Sequence, residues 1–343
     1  MLYFAAMQPF SLLVKAVGGA CNLSCRYCFY RGHEGGAMDV STLRRALDAY
    51  CTLPFEGKSV AFQGGEPLMP HGVSLLEAAE VYPVEKSLQT NATLLTDAVA
   101  GRLAQGGWLV GASLDGPRRL NRLRGETFDA AVRGIRLLER HGADYNLLTV
   151  VSKANVAHPV EVYRFLRDNF STRHHQYIEC TGPCDAIDGV EWGGFLTALF
   201  DEWIKADAHS VSVRLFDSVV SQLLFGRPTM CSFSTSCRHH LVVEHDGSVY
   251  PCDFHVRPDL CLGNVLRDSF EQMTSSRTYE AFAGAKAANL PEACRECQYV
   301  AFCNGDCPRS GQSLCAGWKR FFAHSLDRLR TLAAEAALGT GPW

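Results

Sequence analysis

The sequence lacks any long apolar run, any excess of charge of one sign, and any recognisable targeting segment. Stretches such as Ser11 to Val17 and Trp108 to Leu114 fall far short of the roughly 20 apolar residues that a membrane helix needs. Lys and Arg total 33 against 36 Asp and Glu, a net charge of −3, so electrostatics gives no reason to expect nucleic acid or an anionic membrane as a partner. Met1 to Phe10 show no basic region followed by an apolar run and a small-residue cleavage site, so no signal peptide is expected and the cytoplasm is the expected location. Internal repeats and low-complexity tracts are also missing. With 343 residues, 47% hydrophobic and 20% charged, the chain can build one large domain with an appendage, or two modest ones.

Cysteine is the exception, at fifteen residues. The cytosol keeps thiols reduced and a chain of this length needs no disulfide staples, so metal ligation is the natural reading. The distribution is uneven. Cys21, Cys25 and Cys28 stand near the start, Cys231, Cys237, Cys252, Cys294, Cys297, Cys303, Cys307 and Cys315 form a set of eight in the last third, and Cys51, Cys180, Cys184 and Cys261 are left over.

Short β-rich runs alternate with amphipathic stretches from Ser11 to about Cys180, the pattern of βα units around a parallel sheet. Six strands are expected: Ser11 to Val17, Ser59 to Gln63, Val84 to Thr90, Trp108 to Leu114, Tyr145 to Val151 and Gln176 to Cys180. Asp39 to Thr52, Val73 to Val81, Thr96 to Gln105, Thr127 to His141 and Val156 to Asn169 read as the helices between them. Thr96 is placed to cap its helix and Gly142 to stop the one before it. Ligands gather at the carboxyl ends of strands in such sheets. The cysteines 21 to 28, the Gly64-Gly65-Glu66-Pro67 run, Thr90-Asn91 and Ser113 to Gly116 all follow strands one to four in turn. Residues 192–226 read as two connecting helices, with Trp192, Phe195 and Trp203 as core. The last third is Cys-rich and loop-rich, with one hairpin turning at Asp246-Gly247 and a closing helix from about Trp318 to Ala336.

Three cysteines cannot complete a four-iron cluster, which normally takes four thiolates, so one iron is left open to a further ligand. The C-x3-C-x2-C array of Cys21, Cys25 and Cys28, with Tyr27 before the last, resembles the radical S-adenosylmethionine (SAM) superfamily. That resemblance implies a partial (β/α)6 TIM-type barrel and an open iron that chelates SAM. Cluster reduction then yields a 5'-deoxyadenosyl radical that abstracts hydrogen. It also implies SAM contacts from Gln63, Gly64, Gly65 and Glu66 (QGGEP), from Asn91 of the QTN motif, from Ser113 of SLDGP, and from Arg124 toward the SAM carboxylate, although Leu120-Asn121 replaces the His-Asp pair that often precedes that arginine. A tight turn is the alternative role for Asp115-Gly116-Pro117.

The eight late cysteines match two fully ligated 4Fe–4S clusters in number, and two structural zinc sites would use the same count. Their spacing resembles the SPASM domain, which implies Cys231, Cys237, Cys252 and Cys307 for one auxiliary cluster. Cys294, Cys297, Cys303 and Cys315 would then hold the other, with a shorter gap than usual before Cys315. Among SPASM proteins the strings PFSLLVK (9–15), CRYCFY (25–30), FQGGEP (62–67), QTN (89–91) and GSVYPCDF (247–254) are most similar to the anaerobic sulfatase-maturating enzymes, from about Pro9 to Leu332. The likeness implies three 4Fe–4S clusters and SAM as cofactors, and an unfolded or nascent sulfatase polypeptide as substrate. A flavodoxin or ferredoxin would be the reductant, and Asp253 the general base for oxidation of a Cys or Ser to formylglycine. Expected boundaries are 1–226 for the radical SAM core with its connecting helices, 227–316 for the SPASM domain and 317–343 for the last helix.

Two rival functions stand beside this. One is a radical SAM modifier of a ribosomally made peptide, although a first strand near residue 11 leaves no room for a leader-recognition domain. The other is a non-catalytic iron–sulfur or zinc scaffold, which would have no use for SAM contacts. Cys180 and Cys184 end the sixth strand near the barrel mouth, where they could meet substrate, and His174-His175 and His239-His240 read as surface groups or groups beside a ligand.

Overall fold

A computed structural model of the chain describes residues 10–55, 57–182 and 184–338. Residues 1–9, read above for the lack of a signal peptide, and residues 339–343 of the closing segment lie outside the described residues.

The βα alternation is realised as β1 (Phe10–Val14), α1 (Val40–Thr52), β2 (Lys58–Phe62), α2 (Pro70–Ala79), β3 (Glu85–Thr90), α3 (Asp97–Gln105), β4 (Leu109–Ser113), α4 (Phe128–His141), β5 (Tyr145–Val151), α5 (Pro159–Asn169) and β6 (His174–Glu179). Each of these strands pairs in parallel with the next. The strand order is linear rather than closed, as a partial barrel requires. Local chemistry sets several boundaries. Thr96 caps α3 by accepting from the Val99 N–H, and Gly142 ends α4 in the left-handed region at φ 65°. Helix α5 starts at Pro159 rather than Val156 because proline is tolerated in the first turn but disfavours helical backbone in the residue before it.

Beyond the barrel, α6 (Gly189–Trp203) opens with a reciprocal capping box between Asp188 and Glu191. A two-residue strand, β7 (Ser212–Val213), then adds to the sheet beside β6 before α7 (Arg214–Phe225). Two residues are too few to show periodicity, so sequence reading passes over it.

The cysteine-rich region is continuous with the barrel sheet. Strand β8 (His240–Val243) pairs in parallel with β1, from Ser11 opposite His240 to Val14 opposite Val243. Its hairpin partner β9 (Ser248–Tyr250) and the short β10 (Gly263–Asn264) extend the sheet antiparallel. Four short or medium helices follow, α8 (Phe270–Thr274), α9 (Arg277–Ala288), α10 (Glu292–Arg295) and α11 (Val300–Cys303), and α12 (Cys315–Ala337) closes the described chain. Helix α12 packs on α6 and α7, burying Trp318, Phe321 and Phe322 with Trp192, Phe195 and Phe200. Glycines permit the close approach: a Cβ on Gly317 would lie 2.4 Å from the Gly189 carbonyl oxygen.

Candidate active site

The loop that carries the first cysteines begins earlier than hydrophobicity implies. β1 ends at Val14, not Val17, because the backbone turns there: the Gly18 N–H returns to the Lys15 carbonyl at 3.0 Å, with Gly18 at φ 55°. The following segment packs backbone to backbone on the Gly-Gly-Glu loop. Gly65 N–H donates to Gly18 O at 2.8 Å and Glu66 N–H to Ala20 O at 2.9 Å. A Cβ on Gly65 would sit 1.8 Å from Ala20 O, so glycine is needed where this loop touches the residue before Cys21. Cys21 and Cys28 are exposed, Cys25 is half-buried, and the three thiols interact electrostatically with one another. All three are free, a donor set one thiol short of the four that would complete a 4Fe–4S cluster.

Around this loop stand two polar anchors. Glu66, 1% exposed, accepts from Thr90 Oγ1 at 2.6 Å, Asn91 N at 2.8 Å and Leu68 N at 3.0 Å. Burial pushes its carboxyl up and these hydrogen bonds pull it back. Asn91 holds the Asn22 side chain at 2.9 Å, and its Nδ2 lies 3.9 Å from Cys21 Sγ, which links the end of β3 to the cysteine loop. The second anchor is Asp115 after β4. It receives Arg124 Nε and Nη2 at 3.0 and 3.1 Å, Tyr27 Oη at 2.5 Å and the Val150 N–H at 3.0 Å. Arg124 and Asp115 are both buried. Asp115 therefore does more than make a turn: it fixes Tyr27 inside the cysteine array. Ser113 is the last residue of β4, half-buried at its carboxyl end.

Asp253 lies across from these, 8% exposed. Lys15 Nζ is 3.4 Å and Gln63 Nε2 3.3 Å from its Oδ2, while Oδ1 faces Cys252 Sγ at 3.8 Å. Burial opposes ionisation, yet the Lys15 ammonium, aided by His240, holds the carboxyl below the usual carboxylate range. The same Lys15, fully buried, stands 4.4 Å over the Tyr30 ring, whose hydroxyl donates to Glu244. Lys15 and Tyr30 entered the sequence reading only as ends of matched strings, Glu244 only as the end of a strand, and none as a site residue. The available signal was a lysine continuing the apolar run Leu12, Leu13 and Val14.

The late cysteines form two groups. Cys231 interacts with Cys237, Cys237 with Cys307, and Cys307 and Cys231 with Cys252. Cys294, Cys297, Cys303 and Cys315 line a single cavity with Trp318 and Phe322. All eight are free thiols, and burial pushes Cys303 and Cys307 up to about 11. Four thiols in each group match the number that a fully ligated 4Fe–4S cluster takes. Cys315 reaches its cavity as the first residue of α12.

Other singled-out residues divide. His240, Cys252 and Asp253 place ligand atoms within 4.8 Å of one another, so His240 belongs to the site. His175 does not: it is 2% exposed in the core, and burial pushes it down to about 3. The surface reading of that histidine is thus corrected. Cys180 is buried with Sγ 3.6 Å from the Cys184 carbonyl oxygen.

Comparisons with known proteins agree with this geometry. Residues 16–166 match the radical SAM superfamily and residues 231–298 an iron–sulfur cluster-binding domain, SPASM. The chain is 30% identical to the serine-type anaerobic sulfatase-maturating enzyme of Bacteroides thetaiotaomicron, over 94% of this chain and 91% of that one. It is 29% identical to the cysteine-type enzyme of Clostridium perfringens, over 95% and 99%. A solved structure of native anSMEcpe with bound AdoMet and the Cp18Cys peptide superposes with a TM-score of 0.88 at 29% identity, covering 96% of this chain and 99% of that one. Full-length likeness at that identity, with both cysteine-bearing regions matched, makes this chain a member of the anaerobic sulfatase-maturating enzymes within the radical SAM superfamily.

Proposed function

We propose that this chain oxidises an active-site cysteine or serine of a sulfatase polypeptide to formylglycine. The observation that carries the reading is a buried carboxylate, Asp253, held by Lys15 and Gln63 in the turn that follows β9 and Cys252, beside the ends of the barrel's first two strands.

Cys21, Cys25 and Cys28 would hold the SAM-binding 4Fe–4S cluster. Cys231, Cys237, Cys252 and Cys307 would hold one auxiliary cluster, and Cys294, Cys297, Cys303 and Cys315 the other. When bound, these groups and SAM supply a 5'-deoxyadenosyl radical for hydrogen abstraction and a sink for one electron. The protein's own part is to bind and to move a proton. Glu66, with Gly64 and Gly65 beside it, would receive the SAM amino group, Asn91 and Ser113 would border the SAM, and Tyr27 would be fixed by Asp115. With Nε and one N–H of Nη2 of Arg124 already on Asp115, its Nη1 and the second Nη2 hydrogen are the donors left for a SAM carboxylate. Asp253 Oδ2 is occupied by Lys15 and Gln63, which leaves Oδ1 as the atom to take the substrate thiol or hydroxyl proton. A flavodoxin- or ferredoxin-type protein is the proposed reductant. No described helix is long and apolar enough to cross a membrane.

The test is anaerobic incubation of reconstituted enzyme, SAM and reductant with a peptide carrying Cys-x-Pro-x-Arg, or its serine counterpart. Mass spectrometry should find the aldehyde product. SAM cleavage without any aldehyde on either peptide would overturn the reading in favour of a different peptide modification.

A further inference from the structure

Helix α9 carries an anomaly. Its buried face consists of Tyr279, Ala283 and Lys286, a helical stripe on which two positions pack as expected and the third is a lysine only 6% exposed. Burying an ammonium is unfavourable unless something negative compensates it. Among the described residues Lys286 makes no ion pair, and its Nζ donates to the Ser232 carbonyl at 2.6 Å. Its electrostatic partners are Cys237, Asp306, Cys307 and Cys231, so three of its four partners are thiols of one proposed cluster site. The backbone holds it there, because Cys237 N–H donates to the Ala283 carbonyl of the same helix at 3.0 Å.

The two late cysteine groups differ in this respect. Besides Lys286, the first group has Arg214 facing Cys231 and Arg309 facing Cys307. The carboxylate of Asp253 beside it is paired with Lys15. In the second group Cys294 has Lys319, on an exposed position of α12, as a cation, and Cys303 faces the buried carboxyl of Asp306; the same carboxyl acts on Cys307 of the first group, where Lys286 and Arg309 face it or the thiol. An electron arriving on a cluster adds one unit of negative charge, and in a site shielded from water a fixed neighbouring charge acts strongly on that step. Cations favour the reduced form and raise the reduction potential; anions lower it.

We infer that Lys286 sets the potential of the cluster held by Cys231, Cys237, Cys252 and Cys307 above that of the second auxiliary cluster, so that the electron released by the substrate lands beside Asp253. The inference rests on the cluster assignment proposed above. Forming the aldehyde-level product removes two hydrogens from the side chain. One leaves Cβ as a hydrogen atom to the SAM-derived radical. The S–H or O–H bond then breaks, its proton going to Asp253 and the remaining electron to the neighbouring cluster, as the C=S or C=O double bond forms. For cysteine, water then replaces sulfur with release of hydrogen sulfide. Lys286 touches none of the reacting atoms and acts only through the field at the electron's destination.

The experiment is a potentiometric titration followed by EPR. It uses full-length protein in which Cys21, Cys25 and Cys28 are alanine, so that about eight irons remain in the two auxiliary clusters. In Lys286→Gln, which keeps a donor toward Ser232 but removes the charge, one signal should shift by at least about tenfold in its reduction equilibrium, equivalent to about 59 mV to lower potential for one electron. The other signal should stay in place, and Lys286→Arg should restore most of the shift. Unmoved signals in a fully loaded Lys286→Gln protein would overturn the inference. So would loss of iron from both Lys286→Gln and Lys286→Met, which would make Lys286 an anchor of the Ser232 turn. A Lys286-intact parent that holds no iron would instead overturn the cluster assignment itself.

Discussion

Asp253 shows how one residue acquires its role from neighbours distant in sequence. Its Oδ2 partners, Lys15 and Gln63, lie 238 and 190 residues away, and their placement leaves Oδ1, which faces Cys252 Sγ, as the oxygen for a proton. Asp253→Asn should lower peptide oxidation by about 10²- to 10⁴-fold, the usual contribution of a positioned base. SAM cleavage, followed as 5'-deoxyadenosine by chromatography, should persist. His175 makes the opposite case, a titratable residue with a purely structural place. Its folded-state pKa, near 3, lies below the unfolded value, so the stability it contributes is complete above about pH 6.5 and is lost as pH falls toward 3. Between pH 7.5 and 5.5 unfolding should become easier by about 1.4 kcal/mol on this account. Anaerobic denaturant titrations at the two pH values should show that loss in the parent and a smaller one in His175→Phe.

Among the elements, the Gly-Gly-Glu loop and the cysteine loop behave as a single unit. Each is short and irregular, and each satisfies its backbone on the other. Gly65→Ala would place a methyl group within 1.8 Å of Ala20 O, and backbone cannot yield as a flexible side chain does. Reconstituted Gly65→Ala should therefore hold about eight irons instead of about twelve and cleave no SAM, while its auxiliary clusters keep their EPR signals. The physical reason for a glycine at this position is visible only once the two loops are seen in contact.

For the molecule as a whole, α12 couples the second cysteine cavity to the two helices that follow the barrel. It packs on α6 and α7 and begins at Cys315, so the thiol's position depends on how the helix docks. Gly317→Val would meet Gly189 O, at 2.4 Å from the new Cβ, and Gly193 N, at 2.9 Å. Lifting the helix should remove about four irons and lower the unfolding temperature, both measurable on the same reconstituted sample. The shorter gap before Cys315 becomes intelligible here: a helix docked through glycines can bring a ligand to the cavity without a long loop.

The residue chemistry and the order of elements were legible in the chain because both are local. Three spaced cysteines, a Gly-Gly-Glu-Pro turn and apolar periodicities of two and 3.6 residues are written within windows of a few residues to a few turns, and the six parallel strands emerged within a few residues of their expected limits. Partnerships across the fold were not legible, since no local pattern encodes which strand accepts β8 or which cation meets Asp253. The pairing of β8 with β1, which joins the cysteine-rich region to the barrel sheet, was decided by long-range hydrogen bonding. The burial of Lys15 and Lys286 was decided by packing, because a lysine reads as a surface residue until the tertiary structure supplies its partners, Asp253 for Lys15 and the Ser232 carbonyl for Lys286.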